Sequence, residues 1–246
     1  MYNFFIDKTN VNNGKAIIYG KDFNHIKNVL RMKVGDEILL SYDKTSSLAK
    51  ISQINNETIV CDIITENYAD NELPVNIHLF QGLPKSDKLE LIIQKAVELG
   101  VATITPVEMN RSIVKIEDKK KKSKLERFQA ISESAAKQSK RTVIPEVLDI
   151  IPFKLALEKA KAYEHLLVPY ENEKGMIETD NAIKSIKAGE NVAIFIGPEG
   201  GFSDEEITLA KEMGAKIISL GKRILRTETA AITAISMIML HAEINL

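Results

Sequence analysis

The 246-residue chain has a single cysteine, Cys61, and only four histidines, scattered along its length. One thiol excludes an internal disulfide, and the histidine spacing offers no zinc-ligand pattern, so neither a disulfide scaffold nor a metal site is expected. No run reaches the roughly 18 apolar residues of a membrane-spanning helix. The start, MYNFFIDKTN, lacks a basic stretch leading into an apolar one. Neither export nor a membrane is indicated, and the expected setting is soluble, reducing and cytoplasmic. An excess of charge is missing too: 33 Lys+Arg face 34 Asp+Glu, for a net charge of −1. What remains is ordinary globular composition, 44% hydrophobic and 27% charged, which sets aside disordered, collagen-like and coiled-coil classes. The length allows one or two domains with real cores.

The near-zero net charge conceals an uneven distribution. Asn110 to Arg141 holds 11 basic and 4 acidic residues, whereas Thr142 to the C-terminus holds 11 basic and 16 acidic. A basic block of +7 within a neutral chain can attract phosphate. A lone lysine run such as Lys119-Lys120-Lys121-Lys122 is more often a solvated surface.

Residues 1 to about 72 read as β structure. Lys15–Tyr19, Glu37–Tyr42, Leu48–Ile54 and Thr58–Ile64 are short β-branched runs separated by turn formers. Only Asp22 to Met32 has a helical spacing, with Phe23, Ile26 and Val29 or Leu30 on one face. Such a pattern predicts a compact barrel, and the polar stretch Glu66 to Glu72 ahead of Pro74 predicts a linker. From residue 73 onward strands alternate with helices. Strands are expected at Val75–Phe80, Ala102–Val107, His165–Val168, Val192–Ile196 and Lys216–Leu220. Helices are expected after Ser86 and Asp87 as caps, over Lys124–Ser139, over Asp204–Met213 and from Thr229 to about His241. The alternation predicts an α/β domain with a mostly parallel sheet.

Two loops carry candidate chemistry. In the first, strand Val192–Ile196 runs into Gly197-Pro198-Glu199-Gly200-Gly201, and Ser203 with Glu206 forms an S-x-x-E capping box for the next helix. Paired glycines at the carboxyl end of a strand let a ligand lie against bare backbone. The loop is neither G-x-G-x-x-G nor a P-loop, which argues against phosphate cradling; alone, it is equally an ordinary turn. In the second, Leu220-Gly221 leads to Arg226 and Glu228 at the start of a helix that is apolar on nearly all sides. Such a helix should be buried, against this chain or a second subunit. A charged pair there must be compensated by mutual pairing, as a structural salt bridge, or by a ligand.

These residues resemble the RsmE family of ribosomal RNA small-subunit methyltransferases, within the SPOUT trefoil-knot superfamily. The similarity spans nearly the whole chain. It includes His25–Arg31 with Val34-Gly35-Asp36, Gln94-Lys95 with Glu98–Val101, Asn110-Arg111-Ser112, Gln138-Ser139 with Arg141 and Pro145, then GPEGG and LGKRILRTETA. Lys137 departs from the glutamate expected before Gln138. The resemblance implies a PUA-like RNA-binding β-barrel over 1–72 and an α/β-knot methyltransferase domain over 73–246, acting as a homodimer. It also implies S-adenosylmethionine as cofactor, no metal, and N3 methylation of a uridine in 16S rRNA, free or in the small ribosomal subunit.

The cofactor is then expected against Val168, Pro169, Ile196 and Gly197 to Gly201 (with Pro198, Glu199 and Gly200 between). Leu220, Gly221, Ile224, Leu225 and Thr229 should complete its site. RNA is expected at Arg31, Lys33, Lys119, Lys120, Lys121, Lys122 and Arg141. Arg111 and Arg226 are candidate cations for a uracil anion, and Glu228 is expected to orient Arg226 or accept a proton. A non-catalytic RNA-binding protein is the alternative, disfavoured by the intact glycines. A small-molecule enzyme is disfavoured because His25, His78, His165 and His241 lack any nucleophile–base partner.

Overall fold

A computed structural model describes residues 1–246 except 86 and 174. The described residues form two compact units: Met1–Glu72 with Ala136–Ile144, and Leu73–Ala135 with Pro145–Leu246.

In the first unit, strands β1 (Asn3–Phe5), β2 (Val11–Asn12), β3 (Lys15–Tyr19), β4 (Glu37–Tyr42), β5 (Thr45–Ile54) and β6 (Thr58–Ala69) build one sheet. Its order is β1-β4-β5-β6-β3-β2, antiparallel except for β1 beside β4. The period-2 alternation of β3 sends Ala16 and Ile18 inward and Lys15, Ile17 and Tyr19 outward. Inward residues of neighbouring strands meet Phe4, Ile38, Leu40, Ile51, Ile59 and Cys61 in one core. Burial pushes the Cys61 thiol up to about 12, so it behaves as a small hydrophobe. Register shifts between β5 and β6 mark bulges, which add twist to these long strands.

Three expectations are corrected in this unit. Of the polar stretch expected as a linker, residues 66–69 belong to β6, and only 70–72 follow it before the second unit begins at Leu73. The helix expected over Asp22–Met32 is a short α1 (Gly20–Asn24) followed by a π turn, His25–Val29. The wider turn leaves Val29 exposed and lets Leu30 pack behind Ile26. Finally, Arg141 is 4% exposed and paired with Glu72, so it is not available to bind RNA. Arg141 Nε donates to Glu72 Oε2 at 3.1 Å, a second nitrogen joins it, and the Thr142 and Val143 amides donate to Oε1. Asn3 Nδ2 donates to the Arg141 carbonyl at 2.9 Å, which docks the 136–144 segment on β1. Lys137 ion-pairs with Asp22 at 2.9 Å, which accounts locally for a lysine at that position.

The second unit holds β7 (Asn76–Gly82), α2 (Lys88–Glu98), β8 (Thr103–Glu108), α3 (Asp118–Gln138, to Ala135), β9 (Glu146–Val147) and β10 (Ile151–Pro152). Then follow α4 (Phe153–Ala160), β11 (His165–Pro169), α5 (Ile177–Lys184), β12 (Asn191–Ile196), α6 (Asp204–Glu212), β13 (Lys216–Ile218) and α7 (Thr227–Asn245). The sheet order is β10-β8-β7-β12-β11-β13, with β9 also beside β8, and every described pairing is parallel. This is the mostly parallel sheet that the alternation predicts. Phe80 and Phe195 stack at 4.4 Å on adjacent strands, and Phe153 meets Phe195 edge-on. Helix α2 buries Leu89, Ile92, Ile93, Ala96 and Val97, as its spacing requires. Asp87 stands at its N-cap but accepts no capping hydrogen bond, and Ser86 lies outside the described residues. The lysine run occupies the first turns of α3, six residues earlier than expected. No helix among the described residues is long and apolar enough to cross a membrane.

Glu72 titrates below the ordinary carboxylate range. Burial opposes its ionisation but is outweighed by Arg141 and the Thr142 and Val143 amides. A depressed folded-state pKa contributes stability that is present above the unfolded value and lost as pH falls through the folded one. Glu72→Gln should therefore flatten the acid limb of a stability–pH curve. Arg141→Ala, which strands a carboxylate, should cost about 3 kcal/mol in urea unfolding at neutral pH.

Candidate functional site

The carboxyl ends of β11 and β12 and the loop after β13 enclose a cleft of about 500 Å³. In an open parallel sheet all strands end at this edge, so their loops converge there. Pro169, Ile196, Gly197 to Gly201, Leu220, Gly221, Ile224, Leu225 and Arg226 line the cleft, so both candidate loops face one space. Two expected residues do not line it: Val168 is fully buried in the core and Thr229 is exposed on α7. Lys88, Tyr170, Glu171, Phe202, Lys222, Arg223, Thr227 and Ala230 also line it; none is among the expected cofactor residues, although Lys222, Arg223, Thr227 and Ala230 fall within LGKRILRTETA.

The 197–203 loop is held from three sides. At its far end the expected capping box is present: Ser203 Oγ accepts from the Glu206 amide, and Glu206 Oε2 accepts from the Ser203 amide at 2.9 Å. The buried Glu206 also accepts from the Asn110 amide at 2.8 Å, and Asn110 Nδ2 donates to Ser203 Oγ. Arg111 Nη1 donates to the Gly200 carbonyl at 3.1 Å. The Asn110-Arg111-Ser112 step is therefore a support for the glycine loop. A Cβ on Gly200 would come within 2.9 Å of Arg111 Cβ. Gly201 has φ +66°, where a side chain would be strained, whereas a Cβ there would meet only the movable carboxylate of Glu171 at 2.9 Å.

At the back, Gln81 joins the two loops. Its Nε2 donates to the Gly82 carbonyl and to Thr227 Oγ1, each at 2.9 Å, and Thr227 Oγ1 donates to the Gly197 carbonyl at 2.6 Å. Both side chains are buried. Gly82 abuts the loop directly: a Cβ would fall 2.7 Å from Pro198 N and Cδ. No motif marks either Gln81 or Gly82; their position at the carboxyl end of an expected strand is the available signal.

On the third side, Lys88 Nζ lies 3.1 Å from Glu199 Oε1 and 3.3 Å from Glu228 Oε2. The Lys85 amide donates to both Glu199 oxygens, at 3.1 and 3.2 Å. Partial burial works against ionised Glu199, but its own amide, Lys88 and the Lys85 amide outweigh it and hold the carboxyl below its usual range. The Glu228 oxygen is buried and accepts no hydrogen bond, so the ammonium is what compensates its charge. The expected Arg226–Glu228 pairing does not form. Residues two apart at a helix start point in different directions, which leaves Arg226 exposed on the cleft with no ion pair among the described residues. Of the expected RNA ligands, Arg31 and Lys33 are exposed. Lys119 and Lys120 are exposed in a shared ion pair with Glu117. Lys121 pairs with Glu108 and Asp118, and Lys122 is exposed.

A glycine-lined cleft at the carboxyl edge of a parallel sheet, in a chain that also carries a small β unit, defines an α/β ligand-binding domain accompanied by a β module. Residues 71–239 match the RNA methyltransferase domain family, and residues 18–64 match the RNA methyltransferase PUA domain family. The chain is 37% identical to ribosomal RNA small subunit methyltransferase E of Bacillus subtilis, covering 99% of this chain and 98% of that protein. Its counterpart in Mesomycoplasma hyopneumoniae is 36% identical, over 94% and 96%. The crystal structure of the Neisseria gonorrhoeae ribosomal RNA small subunit methyltransferase E, bound to S-adenosyl methionine, superposes with a TM-score of 0.80 at 33% identity, covering 96% of each chain. The chain belongs to the ribosomal RNA small subunit methyltransferase E family.

Thr227→Val removes the donor to the Gly197 carbonyl and leaves Gln81 Nε2 with one acceptor fewer. Thermal unfolding should register a loss of about 1–3 kcal/mol, the cost of unsatisfied buried polar groups. Thr227→Ser should recover most of it.

Proposed function

We propose that this chain transfers a methyl group from S-adenosylmethionine to N3 of a uridine in the 16S RNA of the small ribosomal subunit, in the cytoplasm. The observation that carries this reading is the convergence of GPEGG and LGKRILRTETA on one cleft, in a chain whose relatives act on ribosomal RNA. The cleft suits an adenosyl group carrying a sulfonium. Ile196, Leu220 and Leu225 offer apolar contact, Gly197 to Gly201 offer bare backbone, and Glu171 and Glu199 offer carboxylates toward hydroxyls or a cation. Phosphate is a poor match for that wall. When bound, S-adenosylmethionine supplies an electrophilic methyl group.

The protein must then present a nucleophile. Uridine N3 is an imide nitrogen that is weakly nucleophilic until its proton leaves. A cation near O2 or O4 stabilises the uracil anion, and alignment supplies much of the remaining rate. Arg226 fits this role because it is on the cleft and uncommitted. Arg111 is already engaged with the Gly200 carbonyl, so it serves more to hold the loop. Glu228, paired with Lys88, is poorly suited as a base. The exposed Arg31, Lys33, Lys119, Lys120 and Lys122 supply cations for the RNA backbone. A homodimer belongs to the same reading, supported by Leu240 and Ile244, which α7 leaves exposed at 52% and 74%. So does the threaded C-terminal knot.

Mass spectrometry of nucleosides from 16S rRNA, with and without the gene, tests the assignment: N3-methyluridine should disappear in its absence. Arg226→Ala should lose at least about 100-fold in kcat, as for removal of one transition-state donor, with S-adenosylmethionine still bound by calorimetry. Replacing Lys119, Lys120 and Lys122 by glutamine should shallow the plot of log affinity against log salt by about 0.7–0.9 for each phosphate no longer neutralised. An unchanged slope would assign the run to solvated surface.

A further inference from the structure

The strongest unassigned feature is Lys88, the first residue of α2, a segment that carries none of the recognised cofactor motifs. Its side chain is 29% exposed, and its ammonium lies between Glu199 of the glycine loop and Glu228 of α7. No other ion pair among the described residues joins these two elements. We propose that Lys88 is a positioning residue for S-adenosylmethionine binding: one ammonium fixes the glycine loop against the start of α7 and so sets the shape of the cleft before the cofactor arrives. This inference rests on the cofactor reading above.

The physical argument concerns preorganisation. The loop presents backbone at Gly197 to Gly201, and backbone recognition works only if the loop is already in place. Gln81 and Thr227 hold the root of the loop at Gly197, while Glu199 is its one charged side chain. Through Glu199 the tip is tied to the start of α2, by the Lys85 amide and the Lys88 ammonium. Without the ammonium, two carboxylates remain on one wall with half of their compensation gone, and they repel each other. The tip is then held only by the Arg111 bond to the Gly200 carbonyl and by the Lys85 amide, so it samples other positions and affinity falls by the cost of selecting the binding one. Lys88 need not touch the cofactor for this effect.

The test is calorimetric titration of S-adenosylmethionine into the full-length protein. It uses wild type, Lys88→Met, Lys88→Arg, Glu199→Gln and the Lys88→Met/Glu199→Gln pair, with unfolding temperatures measured in parallel. Lys88→Met should weaken affinity about tenfold and raise KM more than it lowers kcat, the pattern of lost binding. Lys88→Arg, which keeps the charge, should stay within about threefold of wild type. The double variant should be no weaker than the worse single one, because both changes cut the same tie. Wild-type affinity in a folded Lys88→Met variant, additive losses in the pair, or failure of Lys88→Arg to rescue would each overturn the proposal. Absence of binding by wild type would overturn the cofactor reading, and this inference with it.

Discussion

The cleft depends on the parallel pairing of β12 with β7 on one side and β11 on the other. Six consecutive register pairs, from Asn191 with Asn76 to Ile196 with Gln81, bring β7 and β12 to the same level. The chain therefore leaves both strands side by side, which is why Gly82 must be a glycine against Pro198 and why Gln81 can reach Thr227. On the other flank, β11 pairs with β12 through Leu167 and Ile194, and Pro169 and Glu171 follow at the rim. A slip of one residue would reverse which side chains face the core and break all three relations together.

Charge is divided within this geometry. Glu171 and Glu199 give the cleft negative charge, with Lys88 neutralising part of it, and Lys222, Arg223 and Arg226 give it positive charge; Glu171 and these three cations are exposed. A cationic sulfonium is favoured by the first set and a polyanion by the second. Arg226 belongs to the second set because its acidic neighbour two residues on is committed to Lys88.

Much of the cleft is legible in the sequence because strand-end glycines and a capping box are local signals, as Ser203 and Glu206 bear out. The parallel sheet is legible for the same kind of reason, from alternating periods. The residues that are not legible act across long sequence separations. Gln81 and Thr227 are 146 positions apart, and Lys88 meets Glu228 only after the sheet has formed. The Arg226–Glu228 expectation fails because closeness in sequence is not closeness in space, and a helix start separates the two side chains. The short helices α4 and α5 lie outside the expected elements, although Phe153, Ala156, Leu157 and Ala160 of α4 have helical spacing, and the π turn at His25 selects Leu30 over Val29 to complete the face begun by Phe23 and Ile26.

Arg141 shows why a charge tally over a segment overstates its field. It is one of the 11 basic residues between Asn110 and Arg141, yet its guanidinium is buried against Glu72, outside the segment. Lys137 is likewise paired with Asp22 and Lys121 with Glu108, both beyond the segment's ends. The cations that remain for a phosphate partner are those whose counter-ions are weak or solvent-exposed, chiefly Lys119, Lys120 and Lys122 in the first turns of α3. They stand at the positive end of the helix, where the backbone dipole adds to their field rather than opposing it. Lysines in that place are unfavourable for the helix itself. Under the proposed function, attraction to an RNA backbone offsets that cost.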